Sequence, residues 1–208
     1  MSLSTRPEPY EVVLSPQYAR GHTRPVTQVR STLIAASIQG LREMGWEERY
    51  LTALPPERRT DMRMLTAGAW LPLEVAMTHY RACDAMLLTP EEIARMGETV
   101  SVRTQKSFVG MLGRVAAGAG ATPWNILVQV HRIYARMIDG GDHCVYRVGP
   151  KEALVVNVEC PLVEIPYFRG ALVTYYRAVA ATVASTVYAR EVPRSGPART
   201  VHVRLSWV

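Results

Sequence analysis

HCVYRVGPKEALVVNVEC, residues 143–160, and TVYAREVPRSGPARTVHVRLSW, residues 186–207, each read as two strands around a turn. In the first passage His143–Val148 and Ala153–Cys160 flank the turn Gly149-Pro150-Lys151-Glu152. Leu154, Val156, Val158 and Cys160 alternate with Val155, Asn157 and Glu159, the two-residue period of a strand, and Pro161 ends the run. In the second, Thr186–Val192 and Thr200–Trp207 flank a loop at residues 193–197 that contains Gly196. Val201, Val203, Leu205 and Trp207 point one way while His202, Arg204 and Ser206 point the other. Strands joined by short turns pair antiparallel, which excludes a doubly wound parallel sheet.

Between the hairpins the period changes. From about Pro166 to Ser185, Phe168, Leu172, Tyr175, Val179 and Val183 recur on one helical face. Gly170, Ala171, Ala178, Ala180, Ala181 and Ala184 would let that helix lie close to a sheet. The unit is therefore β-β-α-β-β, a four-stranded antiparallel sheet packed on a long helix.

Upstream the pattern is helical, with about six helices expected. Val29, Leu33, Ile34, Ile38 and Leu41 share a face from Val26 onward, and Gly45 stops that helix. A short helix at Glu47–Leu54 ends at Pro55-Pro56, and Pro56 opens Glu57–Thr66. Trp70-Leu71-Pro72 leads into a stripe of Leu73, Ala76, Met77, Tyr80 and Leu87. Thr89-Pro90-Glu91-Glu92 is a start signal: a threonine cap, proline at the first position and two carboxylates at the positive end of the dipole. That helix, with a break expected near Gly97, carries Ile93, Met96, Val100, Phe108 and Leu112, and Ala116–Ala121 closes it. Thr122-Pro123 opens the next, with Leu127, Val130, His131, Tyr134 and Ile138 before Asp139-Gly140-Gly141. Residues 1–25, with Pro7, Pro9, Pro16 and Pro25, read as an extended arm in which Tyr10–Leu14 can add an edge strand. Residues 26–208 read as a single α+β domain.

Composition narrows the function classes. The 208 residues are 48% hydrophobic and 20% charged, which excludes wholesale disorder. No apolar run approaches the ~20 residues of a membrane span, and the N-terminus lacks the apolar core of a signal peptide. Cys83, Cys144 and Cys160, an odd and scattered set, point to reduced thiols and a cytoplasmic location. The net charge of +6 gathers at the two ends, and all but Lys106 and Lys151 of the 24 basic residues are arginines. Without a basic run or aromatic–basic interleaving, nucleic acid is not an expected partner.

The chemistry-bearing groups are sparse. Asp139, Asp142, His143 and Cys144 crowd together, but adjacent strand residues face opposite ways, so His143 and Cys144 do not converge on one ion. His131 sits on an apolar stripe; the bland reading is a buried histidine donating to a carbonyl, the sharp one a haem ligand. Gly118-Ala119-Gly120 lacks a P-loop lysine, and Glu47-Glu48 and Glu91-Glu92 occupy helix first turns, where the dipole explains them. There is no nucleophile elbow, and Cys160 beside Pro161 reads as a small hydrophobe. No catalytic residue, metal site or cofactor is expected. Trp124, Tyr134, Tyr167, Phe168, Tyr175 and Tyr176 fall on the two helices that should face the sheet. Such a stripe is either filled core or the semi-polar lining of a pocket.

The element order, Trp70-Leu71-Pro72-Leu73-Glu74 before a helix and Cys160 at a strand end resemble one superfamily. It is the ligand-binding superfamily shared by haem nitric-oxide sensors, vinyl-reductase-like (4VR) domains and Bet3-type tethering subunits. Within it the chain looks most like a family of myxobacterial paralogues, through Val29-Arg30-Ser31, the Trp-x-Pro-Leu-Glu turn and the last strand closing in tryptophan. The resemblance covers about residues 26–208. It implies a pocket between the long helix, the sheet and the preceding helices, and frequent homodimerisation. The chain departs from it twice: Val192–Val201 holds none of the cysteines of the vinyl-reductase-like domains, and the Tyr-x-Ser-x-Arg haem motif is absent. The expected function is thus a non-enzymatic sensor or binding module for a small hydrophobic ligand, signalling to a protein partner, with Trp124, His131, Tyr134, Tyr167, Phe168, Tyr175 and Tyr176 as the candidate pocket. The alternative is a dimeric structural or protein-interaction domain without a ligand.

Overall fold

The C-terminal alternation produces the sheet that organises the molecule. The computed structural model of the chain describes residues 11–14, 23–106, 122–193 and 199–208. β5 (Asp142–Gly149) and β6 (Glu152–Val158) form the first hairpin, and β7 (Val187–Val192) and β8 (Val201–Trp207) the second. β6 pairs with β8, with Val155 opposite Val203. The sheet has the four expected strands and a fifth: β1 (Glu11–Leu14), the edge strand read at Tyr10–Leu14, adds antiparallel to the free edge of β5. The order is β1-β5-β6-β8-β7.

Ala153, Val155, Val201, Val203, Leu205 and Trp207 are buried in the main core on the face toward the helices. Cys144, Val156 and Val158 form a separate apolar cluster with Tyr146 and Leu154. Glu159 breaks the alternation with a φ of 54°, which returns Cys160 to the main core.

Six helices precede the first hairpin among the described residues: α1 (Ser31–Glu43), α2 (Glu47–Ala53), α3 (Arg59–Arg63), α4 (Leu73–Ala85), α5 (Pro90–Lys106) and α6 (Pro123–Met137). α7 (Pro166–Ala180) lies between the hairpins. Helix α1 begins at Ser31 and not at Val26. Val29 belongs instead to β2 (Gln28–Arg30), which pairs with β3 (Trp70–Pro72) and β4 (Ile138–Asp139) in a second small sheet. Strands of two or three residues are too short to declare a period. α5 is continuous through Gly97, and its capping box is formed: Glu92 N–H donates to Thr89 Oγ1 (3.3 Å) and Thr89 N–H to Glu92 Oε2 (2.8 Å). Phe108, Leu112 and Ala116–Ala121 lie outside the described residues.

The small residues of α7 serve a different contact from the one expected. Helix α7 meets α5 more extensively than it meets the sheet. A Cβ on Gly97 would stand 2.5 Å from the Ala171 carbonyl oxygen, and one on Gly170 2.9 Å from Ile93 Cγ2. Periodicity located a face made for close approach; it did not say which element approaches.

Leu87 is also misplaced by periodicity. It is 85% exposed with a φ of 51°, just past the end of α4, where its N–H donates to the Asp84 carbonyl (3.0 Å). A left-handed residue there terminates the helix, and leucine bears the Cβ penalty that glycine avoids. Leu87→Gly is expected to raise the urea unfolding midpoint, by roughly 1 kcal/mol of stability.

Candidate functional site

Five helices leave a space where they meet. A cavity of about 90 Å³ is lined from α1 by Leu33 and Ser37, from α4 by Tyr80, and from α5 by Met96, Gly97, Val100 and Thr104. Helix α6 contributes Val130, Ile133, Tyr134 and Met137, and α7 contributes Tyr167, Phe168, Ala171, Leu172, Tyr175 and Tyr176. Ile138 of β4 completes the wall. Native interiors rarely leave voids larger than a water molecule, and a water needs only ~10–15 Å³ on this measure. Among the described residues the five-stranded sheet supplies none of the lining, so this space lies among helices, whereas the resemblance implied one that also reaches the sheet.

Of the seven candidate pocket residues, Tyr134, Tyr167, Phe168, Tyr175 and Tyr176 line this space. Trp124 does not: it packs edge-on against Trp207, beneath the Arg147 guanidinium, and its indole N–H donates to the Pro150 carbonyl (3.3 Å). His131 is likewise outside the lining, half-buried, with Nδ1 buried and unpartnered among the described residues.

Two buried polar networks flank the cavity. On the sheet side His143 stacks between Tyr134 and Tyr176, with centroids 6.1 and 5.5 Å away. The Tyr176 hydroxyl lies 3.0 Å from His143 Nδ1 and donates to Asn157 Oδ1 (2.9 Å). Burial lowers His143 to a pKa of about 4, against the opposing bond to Asn157. On the other side the Tyr50 hydroxyl is 2.8 Å from His79 Nδ1, His79 Nε2 is 3.0 Å from Ser37 Oγ, and Cys83 Sγ is 3.8 Å from the same nitrogen. Burial alone takes His79 down to about 3. Sequence reading passed over Ser37, Tyr50 and His79. His79 shares a helix face with Ala76 and Tyr80, and its partners stand 29 and 42 residues away, so no local pattern announces them.

The thiols are not poised for reaction. Burial pushes Cys144 and Cys160 up to about 12 and Cys83 higher still. No group of three or more His, Cys, Asp or Glu among the described residues is placed to hold a metal ion. Among the same residues, no helix is long and apolar enough to cross a membrane.

The architecture has close counterparts among solved structures. A domain solved to probe haem distortion in the H-NOX family superposes with a TM-score of 0.58 at 12% identity, over 85% of this chain and 94% of that one. An oxygen complex of an H-NOX domain related to soluble guanylate cyclases gives 0.54 at 12%, over 85% and 94%. A point variant of the T. tengcongensis H-NOX domain gives 0.55 at 12%, over 85% and 96%. The fold is that of a haem-NO-binding domain. No family model matches the chain, and no curated protein does.

The fold raises the question of haem, and the described residues do not fit one. The cavity is several times smaller than the ~300–1,000 Å³ of pockets that hold drug-sized ligands. Its wall offers neither imidazole nor thiolate to iron, only two methionines and tyrosines whose hydroxyls burial holds protonated, and no arginine or lysine to propionates. Both ring nitrogens of His79, the histidine of α4 behind Ser37, are already engaged.

Proposed function

We propose that the protein is a non-enzymatic sensor or binding module that takes a small hydrophobic molecule into the cavity among α1, α4, α5, α6 and α7 and passes its occupancy to a protein partner. The observation that carries this reading is the cavity, about 90 Å³ of mostly apolar space where native interiors rarely leave room for more than a water molecule. An apolar cavity of ~150 Å³ accepts benzene, so this one suits a molecule of about four non-hydrogen atoms or fewer. The oxygen complex among the structural neighbours supports a small ligand without naming it. Buried, neutral histidines and protonated thiols support binding over catalysis. The same proposal includes one unit from residue 26 to 208, homodimerisation, a cytoplasmic location and the narrower kinship with the myxobacterial paralogues.

Dissolved xenon tests it. Xenon is expected to shift the methyl resonances of Met96 and Met137, which line the cavity. Ala171→Leu, whose side chain grows into the same space, is expected to abolish that shift. Unchanged xenon shifts in Ala171→Leu would place binding elsewhere and remove the proposal.

A further inference from the structure

The sheet ends on two unequal edges. β1, at one side, is four residues long with a shift of register between Val12 and Leu14. β7, at the other, runs six residues in unbroken register with β8, and among the described residues no strand pairs with its outer side. Val208 N–H donates to the Thr186 carbonyl (3.2 Å), while Trp207 N–H turns the other way, to the Lys151 carbonyl (3.2 Å). In an antiparallel ladder the backbone groups of successive residues alternate sides. Tyr188, Arg190 and Val192 therefore direct theirs to β8, and Val187, Ala189 and Glu191 direct their N–H and C=O groups outward.

Tyr188 and Arg190 are exposed on the face of the sheet away from the helices, Tyr188 to 66%. Arg190 stands opposite Arg204, whose guanidinium donates to Glu152 (2.5 Å), and forms no direct ion pair among the described residues. On the helix face Glu191 is held by Arg169 (3.2 Å). A second copy related by a two-fold axis can extend the sheet only where residues of the same face meet, which leaves few registers. Centred on Ala189, the pairing sets Val187 against Glu191 of the second copy and Ala189 against Ala189, so every outward-facing backbone group is hydrogen-bonded. It also sets Tyr188 against Arg190 of the second copy on both sides of the axis, in the closer, non-hydrogen-bonded positions, where a guanidinium meets a phenol face. Centred on Arg190, the pairing would set two guanidiniums against each other; centred on Tyr188, it would leave Glu191 outside the ladder. Charges on an edge strand commonly guard it against pairing; here they select one register.

We infer that β7 is a homodimer surface: two copies of the chain join antiparallel along this strand, centred on Ala189, and merge their five-stranded sheets into one, with a Tyr188–Arg190 contact on each side of the axis. The inference rests on the homodimerisation within the proposed function and gives it a place; it does not depend on the cavity. One short strand buries little, less than the ~1,200 Å² at which standard interfaces begin, so the dimer is weak and its population rises with concentration.

Sedimentation equilibrium of the full chain, from micromolar to near-millimolar protein, reads the association. Tyr188→Glu places a carboxylate opposite Arg190 of the second copy and is expected to keep or tighten the dimer. Tyr188→Lys is expected to weaken it about tenfold, since two symmetry-related pairs turn from attraction to repulsion. Both changes fall on an exposed side chain and leave the core untouched. Ala189→Pro removes the central outward N–H, and proline is tolerated where an edge N–H faces solvent. That variant is expected to keep the wild-type circular dichroism spectrum and to sediment as a monomer throughout. Equal effects of the two substitutions at position 188 overturn the inference, whether or not the proline variant folds. A dimer that persists in Ala189→Pro also overturns it and leaves homodimerisation through another surface standing. A wild-type chain that is monomeric at every concentration removes both and leaves the cavity reading untouched.

Discussion

Acidification from pH 7 to pH 4 is expected to lower the unfolding free energy by on the order of 5 kcal/mol, enough to bring a domain of ordinary stability close to its midpoint. The cause is two histidines that burial keeps neutral. In the unfolded chain His79 and His143 take up protons near pH 6.5. In the native state they do so only at about 3 and about 4. A depressed folded pKa leaves stability full above the unfolded value. Stability is then lost as pH falls, because the unfolded state binds protons that the native state refuses. Each histidine contributes up to ~1.4 kcal/mol per pH unit across its window. The window opens near pH 6.5, before exposed carboxylates begin to titrate, which separates this effect from general acid denaturation. His202, half-buried and also lowered, adds in the same direction. Urea midpoints measured from pH 7 to pH 5 should fall steadily, and His143→Gln should roughly halve the slope. A flat profile over that range would mean that neither imidazole is as dry as its surroundings indicate.

Gly97→Ala is the substitution expected to do most damage for its size. One methyl would sit 2.5 Å from the Ala171 carbonyl oxygen and 2.9 Å from Thr174 Cβ. The first of these is backbone and cannot swing aside, so α5 and α7 must move apart along the most extensive helix–helix contact among the described residues. Overpacking of this kind costs about 1–3 kcal/mol or more, against the ~1 kcal/mol gained by replacing a mid-helix glycine. A net loss of up to about 2 kcal/mol is expected in equilibrium unfolding. Gly170→Ala is the control. Its methyl would meet Ile93 Cγ2 at 2.9 Å, a side-chain atom and not backbone, though one that moves only with the stiff χ1 of a helical isoleucine, and it should cost less than Gly97→Ala. If Gly97→Ala were stabilising, the two helices would not approach as described.

These two positions also show what a sequence discloses. The change from a 3.6-residue to a two-residue period after Gly141 was visible, and so was the second hairpin. Val201, Val203, Leu205 and Trp207 are buried, and His202, Arg204 and Ser206 are half-buried between them. The capping threonine of α5 was equally legible, because its partner Glu92 is three residues away. What stayed hidden was non-local. Gly97 and Gly170 read as a break and a small-residue stripe; that they seat two helices on each other depends on a separation of more than seventy residues. Ser37, Tyr50 and His79 come from three helices, and none carries a local mark of its partners. Leu87 sat in register with an apolar stripe, yet the helix ends before it and turns it to solvent.

The candidate pocket was partly legible for the same reason. Tyr134, Tyr167, Phe168, Tyr175 and Tyr176 share the inward faces of α6 and α7 and meet at the cavity. Trp124 lies at the start of α6, where the helix passes the end of β8, and finds Trp207 instead. Helical spacing assigns a face, while position along the helix decides what that face meets.

The central claim, that this haem-NO-binding fold holds a small molecule directly between its helices, is tested most simply by a crystal structure under xenon pressure. The account expects an ordered xenon atom in contact with Val100, Val130 and Ala171. Crystals with xenon bound at other sites and this space filled by side chains would contradict it.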